Sequence, residues 1–401
     1  MRKNKQSIVR RVNNWLHLWL GLISSVVVFV VCLTAAIWTF RYEITYYFEK
    51  GNQVEKQDKA YVTPAILREN ALAYLRKDDK DMGHINSIFY RAGHKSIVLN
   101  YSDSLRAPAK QFYFNPYDGR VILHRDKQSV TQDFIDFLRA GHRFFWMPRH
   151  IGSPFVGTNC LVFLLLLITG LVWWYPKKWN KSTRDKSFKI KWSANWKRVN
   201  LDLHNVLGFY AAFFAIILTV TGLYYSFTWF REGYHFVITA GKTIEKPVRQ
   251  NIKDNNQDGM PVVDADDILF KKHYDAYLAA GYEALYIFYP QQKNGPINLQ
   301  LRPYEDGQYG AISYIYDTRT LKPMGRNENQ PPQNFGQKVF AANFDIHVGS
   351  IGGIWTKILA SLISLIGASL PVTGFIIWYN RKWGKKKVRP KNRERRNPIV
   401  E

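Results

Sequence analysis

The chain has only two cysteines in 401 residues, Cys32 and Cys160, and both lie inside long apolar stretches. Iron–sulfur clusters and cysteine-based zinc sites need up to four thiolates at short spacings, and a c-type haem needs a Cys-x-x-Cys-His run. The sequence contains neither pattern, and it has no Gly-rich phosphate loop after a predicted strand. These absences exclude cysteine-held metal centres, covalently attached haem and a nucleotide-binding domain of the Rossmann type.

Charge is missing from four stretches of the chain. Residues 15–40, 155–175 and 203–230 contain no Asp, Glu, Lys or Arg, and residues 351–379 contain only Lys357. At about 1.5 Å per helical residue, even the shortest stretch covers the roughly 30 Å hydrocarbon core of a bilayer. We therefore predict four membrane helices, with Lys357 near enough to one end to extend its ammonium group toward the interface.

The net charge of +25 is concentrated in three short segments. Residues 1–14, 176–199 and 380–401 together hold 24 Lys and Arg but only three acidic residues. This distribution follows the positive-inside rule and argues against nucleic-acid binding. It predicts a multi-pass protein of a bacterial inner membrane, with both termini and the 176–199 loop in the cytoplasm and the long loops in the periplasm.

The predicted order of segments is an N-terminus with the first helix (1–40), a periplasmic domain (41–141), a second helix with its lead-in (142–175), a basic loop (176–199), a third helix (200–230), a second periplasmic domain (231–346), a fourth helix (347–379) and a basic tail (380–401).

Both long loops follow the same pattern of helix, then strands. The first predicts a helix over 63–76 and strands near 85–91, 95–101 and 110–115, with a turn at 115–119. The second predicts a helix over 265–280 and strands near 283–289, 296–302 and 311–316. We expect two small α+β domains, the second a diverged copy of the first.

Four of the ten histidines stand at or just before the start of a predicted membrane helix: His17, His142, His204 and His347. Imidazole is costly to place near lipid and is rarely found there without a partner or cofactor. A single interfacial histidine is more often a hydrogen-bonded anchor, but four in matching positions favour a haem or metal system.

The positions of these histidines repeat between the two halves of the chain. In the first and third helices, a glycine follows four residues after the histidine, and a Thr with a small residue follows seventeen residues after it. These residues are Gly21, Thr34 and Ala35 after His17, and Gly208, Thr221 and Gly222 after His204. In the second and fourth helices a Thr-Gly pair follows 27 or 26 residues later: His142 with Thr169 and Gly170; His347 with Thr373 and Gly374. The protein therefore consists of two copies of one unit, and such repeats often place the functional site at their interface.

The predicted topology sorts the four histidines into two pairs by depth. His17 and His204 belong near the cytoplasmic face, and His142 and His347 near the periplasmic face. A helix bundle holds haem when facing helices each present one imidazole to the iron, so we expect two b-type haems. Gly21 and Gly208, one helical turn from their histidines, would leave room for the macrocycle of the inner one.

Several assignments around these pairs stay open. His150 is an alternative to His142, because it lies closer to the second helix and its His-Ile-Gly-Ser resembles the run at His347. Arg143, Arg149 and Arg198 are candidates to pair with haem propionates, with ordinary interfacial charge as the alternative. The remaining histidines lack ligand spacing and are expected to be surface or structural residues: His84, His94, His124, His235 and His273.

Asp202 and Asp345 each stand two residues before one of these histidines. Residues two apart point to different faces of a helix, so a contact with the neighbouring imidazole is not expected. We predict instead that they cap the N-termini of the third and fourth membrane helices.

With these features the chain resembles the PepSY-associated transmembrane proteins, a family that includes inner-membrane ferric-siderophore reductases. The resemblance covers almost the whole length, and four segments carry it: His17-Leu-Trp-Leu-Gly21 with Glu43 after the first helix, the strand-turn-strand Phe112 to Val121, Asp202-Leu-His204-Asn-Val-Leu-Gly208, and His347-Val-Gly with Val372-Thr-Gly374. One departure is Thr34-Ala35, where the family usually shows Thr-Gly or a similar small pair, and we expect it to affect packing more than chemistry.

The resemblance implies an α-helical membrane protein with two PepSY-type domains and a haem b-containing reductase linked to iron acquisition. It places His17, His142, His204 and His347 at ligand-type positions, and it implies a periplasmic ferric chelate, such as a ferric siderophore, as substrate. Reduction would release the iron, because siderophores hold iron(III) far more tightly than iron(II). Because the cytoplasmic segments are too short for a nucleotide domain, the electron donor would be a quinol, another protein or a free reduced carrier.

Two other classes of function fit the same sequence. The protein could be a non-catalytic membrane anchor whose domains bind or restrain a periplasmic protein. It could also be a transporter subunit for the chelate, although Asp or Glu inside the membrane helices would be expected there and none occurs.

Overall fold

The structure, a computed structural model, describes residues 7–78, 80–104, 107–176, 178–241, 264–290, 295–328 and 334–384. The first six residues and the tail from 385 to 401, both predicted to be cytoplasmic, lie outside the described residues.

The two halves of the chain contain the same kinds of element in the same order. The first half comprises α1 (Ile8–Trp38), α2 (Arg41–Phe48), α3 (Pro64–Arg76), β1 (His84–Arg91), β2 (Ile97–Ser102), β3 (Lys110–Phe114), β4 (Val121–Arg125), α4 (Val130–Phe144) and α5 (Arg149–Trp174). The second comprises α6 (Lys181–Phe188), α7 (Trp196–Asp202), a π-helical turn (Leu203–Leu207), α8 (Gly208–Leu223), α9 (Thr228–Thr239), α10 (Ala265–Ala279), β5 (Ala284–Phe288), β6 (Ile297–Arg302), β7 (Ile312–Tyr316), β8 (Pro323–Glu328), α11 (Phe335–Ala341), α12 (Asn343–Val348), a 3₁₀ turn (Ser350–Gly352) and α13 (Gly353–Trp383).

Within the described residues, four helical segments are long and apolar enough to cross a membrane: Ile8–Trp38, Arg149–Trp174, Trp196–Leu223 and Ser350–Trp383. They agree with the predicted number of membrane helices. The first and third begin seven residues earlier than the apolar stretches, because their basic N-terminal residues are also helical. His17 and His204 therefore lie two turns inside these helices rather than at their entrances.

The eight strands of the described residues form one antiparallel sheet in the order β4-β3-β2-β1-β5-β6-β7-β8. Each half of the chain contributes four consecutive strands, the three that were predicted and one more, β4 or β8, that follows the predicted turn, and the halves join where β1 pairs with β5. Phe89 faces Tyr286 at the centre of this junction. The two α+β units are thus joined edge to edge into a continuous sheet, which protects the backbone groups of both inner strands.

The sheet separates two different environments. Alternate residues of β1 point to opposite faces, so that Ile88 and Tyr90 are fully buried in a core with α3 and α10. Tyr90 stacks on Phe270 of α10 with ring centroids 4.5 Å apart. The opposite face, which carries Phe89 and Arg91, is covered by α2 and α4 and therefore faces the membrane helices. We call this end of the bundle the sheet side and the opposite end, which carries α6, the basic side.

A buried ion-pair cluster ties the sheet side to the bundle. Lys357 of α13 is 5% exposed, and its Nζ lies 2.7 Å from Glu43 of α2 and also pairs with Asp306 of the β6–β7 loop. The prediction that Lys357 extends toward the interface is therefore wrong. A buried ammonium group needs carboxylate partners, and here two different elements of the sheet side supply them.

Asp202 and Asp345 do not cap the membrane helices, contrary to our prediction. Asp202 ends α7, where it pairs with Arg198 at 2.7 Å. Asp345 accepts hydrogen bonds from the backbone N–H groups of Gln308 and Tyr309, at 3.0 and 2.7 Å. Asp345, two residues before His347, thereby fixes the β6–β7 loop against α12.

Burial lowers the pKa of His273 to about 4, with the charge of Lys272 acting in the same direction, and its Nε2 lies 2.7 Å from the Tyr316 hydroxyl. The unfolded chain takes up a proton near the ordinary pKa of 6.5, which the folded chain resists. This contribution to stability is complete above pH 6.5 and is lost as the pH falls toward 4.

We therefore expect the thermal unfolding temperature of the protein in detergent to fall between about pH 7.5 and about pH 5, with a smaller fall in His273→Gln. His94 is exposed, so His94→Gln should retain the wild-type pH dependence. Equal pH dependence in both variants would contradict this assignment.

Candidate functional site

The first histidine pair lies between α1 and the third membrane segment, toward the basic side. The ring centroids of His17 and His204 are 6.4 Å apart, with the ring planes at 85°. His204 belongs to the π-helical turn Leu203–Leu207, which inserts an extra residue into the helix. Such turns are frequent at functional sites because they redirect a side chain without ending the helix.

Each of these imidazoles is held by a threonine of another membrane helix. His17 Nδ1 lies 2.9 Å from Thr169 Oγ1, and His204 Nδ1 lies 2.9 Å from Thr373 Oγ1. Thr169 already donates its only hydroxyl proton to the Leu165 carbonyl at 2.8 Å, and Thr373 does the same in its own helix. Each threonine oxygen therefore accepts from the imidazole N–H, which fixes the proton on Nδ1.

The second pair lies on the sheet side. His142, on α4, and His347, on α12, have ring centroids 6.0 Å apart and ring planes at 41°. His142 Nδ1 donates to the Val31 carbonyl at 2.9 Å, and His347 Nδ1 donates to the Leu218 carbonyl at 3.0 Å. Val31 is fourteen residues after His17, so the two pairs are separated by about 20 Å along α1.

The glycine of each Thr-Gly pair makes room for the imidazole. A Cβ atom on Gly170 would lie 3.2 Å from His17 Cε1, and one on Gly374 would lie 3.3 Å from His204 Cε1. On Gly222 the corresponding distance to His347 Cε1 would be only 2.7 Å. Each repeated Thr-Gly pair is therefore the place where a histidine of another helix packs. We call the residues that contact each imidazole the seat of that histidine.

An asparagine four residues before the histidine completes three of these seats. Asn13 and Asn200 donate to the backbone carbonyls of Thr169 and Thr373, each at 3.1 Å. Asn343 donates to the carbonyl of Thr221 at 3.3 Å. The Asn-x-x-x-His spacing is visible in the sequence, but we did not predict this role because the acceptor carbonyls belong to distant segments.

The seat of His142 differs from the other three. Leu138 occupies the position of the asparagine, and Ala35 the position of the glycine. Thr34 Oγ1 bonds to carbonyls of its own helix, at Val30 and Val31, and the described residues show no bond between it and His142. His142 is consequently held through the Val31 carbonyl, without the asparagine and glycine that the other three histidines have.

A cavity of about 490 Å³ opens between the first pair of histidines. Gly21 and Gly208 line it, as expected, and so do Arg381 and Lys382 at the basic side. Arg198 does not line it, because its guanidinium pairs with Asp202. The basic groups placed to meet an anionic substituent in this cavity are therefore Arg381 and Lys382, which the sequence analysis did not single out.

The other predicted site residues of the sheet side lie on α4, where Arg143 adjoins His142, and at the start of α5. His150 is exposed on α5, and the structure brings His142 rather than His150 to His347. Arg149 is exposed at the start of α5, and the Arg143 guanidinium lies over the Phe144 ring at 5.2 Å. Of the remaining histidines, His124 bonds to the Tyr101 hydroxyl at 2.7 Å, which fits a structural role.

The chemistry of the donor set fits haem better than a bare metal ion. The described residues contain no group of three or more His, Cys, Asp or Glu that could hold a metal ion. Haem iron, by contrast, would bring four porphyrin nitrogens and could be held by one pair of imidazoles. With metal–nitrogen bonds of about 2 Å, two imidazoles on one iron have centroids roughly 6 Å apart, close to the 6.4 and 6.0 Å observed.

The ring nitrogens that point away from the seats are free. For His17, His142, His204 and His347 the described residues offer hydrogen-bond partners to Nδ1 but none to Nε2. A neutral imidazole protonated on Nδ1 has its lone pair on Nε2, which is the form that binds a metal.

The family model for the PepSY-associated TM region matches residues 14–381. The match covers most of the chain, so the protein belongs to this family and is a multi-pass α-helical membrane protein, as its sequence indicates. No curated protein matches the chain.

The fit of His347 against Gly222 can be tested by adding a methyl group. Alanine is favoured over glycine inside a helix by up to about 1 kcal/mol, while overpacking costs about 1–3 kcal/mol. We expect Gly222→Ala to lower the thermal unfolding temperature in detergent, because its Cβ would lie 2.7 Å from the imidazole. Gly374→Ala, at 3.3 Å, should be close to neutral.

Gly208→Ala is the control, since the nearest atom to its Cβ would be Leu370 Cδ2 at 3.4 Å. If Gly222→Ala were as stable as Gly208→Ala, the close packing of His347 on α8 would be wrong.

Proposed function

We propose that this member of the PepSY-associated TM family is a haem-containing membrane reductase. His17 and His204 hold one b-type haem, and His142 and His347 hold a second. The observation that carries the proposal is the pair of imidazole pairs, each with a centroid spacing suited to one iron and each with free Nε2 atoms. When bound, haem iron supplies reversible one-electron chemistry.

The protein's own residues set the conditions for that chemistry. Thr169 and Thr373 orient the imidazoles of the basic-side pair, and hydrogen bonding at Nδ1 increases the basicity of the ligating nitrogen. The apolar helices around the pairs exclude water from the interior of the bundle. Arg381 and Lys382 supply positive charge for the propionates at the basic side.

The charge distribution supports an orientation in the membrane, and the family resemblance supports the direction of transfer. The basic side corresponds to the cytoplasm by the positive-inside rule, and the sheet side then faces the periplasm of a bacterial inner membrane. Haem held by the His17–His204 pair would accept electrons, and haem held by the His142–His347 pair, about 20 Å further along α1, would deliver them. The acceptor is a ferric chelate such as a ferric siderophore, from which one-electron reduction releases iron(II).

The electron donor is a quinol or a reduced protein or carrier. The basic-side cavity lies within the apolar bundle and is lined by Trp173, Trp174 and Phe375 among others. With haem in this cavity, the donor has to reach only the edge of that haem, and a lipid-soluble donor can do so from the bilayer, which favours the quinol.

The function is tested by following both the protein and the iron. Purified protein reduced with dithionite should show the absorption bands of ferrous haem b, and a ferric hydroxamate chelate should reoxidise it. Iron(II) should appear at the same rate, trapped by a ferrous-specific chelator. His347→Ala should slow reoxidation at least about tenfold, because it removes an axial ligand of the haem nearest the acceptor.

His150→Ala is the matched control and should react like the wild type, since His150 is exposed. Absence of haem bands in protein from haem-replete cells would overturn the proposal and favour a non-catalytic anchor. Reoxidation at equal rates in His347→Ala and the wild type would show that the electron does not leave through this pair.

A further inference from the structure

A second cavity, of about 420 Å³, lies between the sheet and the helices that cover its inner face. Its walls come from α2, α4 and five strands of the continuous sheet, so both halves of the chain contribute to it. Its volume is in the range typical of small-molecule sites. No histidine lines it, so it is distinct from both histidine pairs.

The cavity is rich in positive charge. Four cationic side chains line it, Arg41, Arg91, Lys95 and Arg302, against two carboxylates, Glu49 and Glu305. The lining therefore carries an excess of two positive charges if all six groups are ionised.

Both carboxylates are already engaged. Glu305 lies 3.5 Å from Arg91 and also pairs with Lys95. Burial alone would raise the pKa of Glu305, but the charges of Arg91 and Lys95 outweigh it and hold that pKa below its usual value. Glu49 pairs with Arg125 and accepts a hydrogen bond from Ser129 at 2.7 Å. Neither carboxylate is left to balance Arg41 or Arg302.

Arg41 is the group that most needs a partner. Its side chain is 8% exposed, its Nη1 is buried, and the described residues offer that nitrogen no hydrogen-bond acceptor. The guanidinium lies over the rings of Trp38 and Tyr42, at 4.0 and 4.6 Å, which leaves its N–H edge unpaired. A buried cation with unpaired N–H groups is costly unless an anion meets it.

Arg302 is the second cation of the cavity that pairs with no carboxylate of the described residues. Its Nε donates to Gln300 at 2.8 Å, and its guanidinium lies over the Tyr286 ring at 4.8 Å. Tyr286 itself lines the cavity, together with the aromatic side chains Tyr42, Tyr46, Phe89, Tyr113 and Phe288.

We propose that this cavity binds a small anionic molecule with a planar or aromatic body, whose carboxylate pairs with Arg41. Guanidinium groups bind carboxylates through two parallel hydrogen bonds, and the surrounding rings supply flat apolar contacts. This assignment does not depend on haem, because none of the residues that carry it contacts the four histidines.

The site is joined to the histidine pair on the sheet side through α4. Gln132 and Ile135 of this helix and its capping residue Ser129 line the cavity, and His142 follows seven residues after Ile135, about 10 Å along the axis. A bound anion would therefore lie near the sheet-side pair without being part of it.

Salicylate is a suitable probe, with neutral salicylamide as its matched control. Isothermal titration of the full-length protein in detergent should show saturable binding of salicylate and little of salicylamide. Arg41→Gln should weaken salicylate binding at least about tenfold, and Arg302→Gln should weaken it less. Arg120→Gln, a change of the same kind at an exposed turn residue outside the cavity, should bind like the wild type.

The source of the natural anion is tested by competition. Displacement of salicylate by phosphatidylglycerol in nanodiscs would overturn the planar carboxylate as the natural ligand and assign the cavity to a lipid headgroup. Equal affinity in Arg41→Gln and Arg120→Gln, or no saturable binding of salicylate to the wild type, would overturn the proposal. If Arg41→Gln does not fold, the comparison of Arg302→Gln with Arg120→Gln decides in the same way.

Discussion

One interaction, repeated four times, sets the arrangement of the membrane helices: a half-buried histidine donates a hydrogen bond from Nδ1 to a neighbouring helix. An unpaired imidazole N–H inside a membrane protein is costly, so each histidine fixes the depth and rotation of the helix that receives it. The seat on Thr169 and Gly170 holds α5 against α1, and the seat on Thr373 and Gly374 holds α13 against the third membrane segment. The same bond leaves the lone pair of Nε2 free. An imidazole that is held in place by its Nδ1 bond can therefore also act as a metal ligand.

Much of this arrangement could be predicted from the sequence because it depends on local patterns. Apolar length gave the four membrane helices, the repeat spacing gave the pairing of the four histidines by depth, and alternation gave the strands in each half. The seats could not be predicted, because whether the hydroxyl of Thr169 faces His17 depends on contacts between segments more than 150 residues apart. The ion pairs of Lys357 were missed for the same reason, since its partners lie in α2 and in the β6–β7 loop.

Because the sheet is continuous, the two repeated α+β units form one body rather than two separate domains. Separate domains would move independently, whereas pairing of β1 with β5 makes one rigid platform over the bundle. Lys357 and Asp345 tie that platform to α13 and α12. The platform also encloses the cationic cavity on its inner face, so that anion binding and the sheet-side histidines share the helix α4.

The central claim is that one chain holds two haems, each between two helices. The most direct measurement is the number of haems per chain, from a pyridine haemochrome assay and a protein determination on the same sample. The account predicts about two in the wild type, and about one in each of His17→Ala, His204→Ala, His142→Ala and His347→Ala. It also predicts that the double variant His17→Ala/His204→Ala retains about one, whereas His17→Ala/His347→Ala retains none. A wild-type ratio near zero, or a single-site variant that keeps both haems, would contradict it.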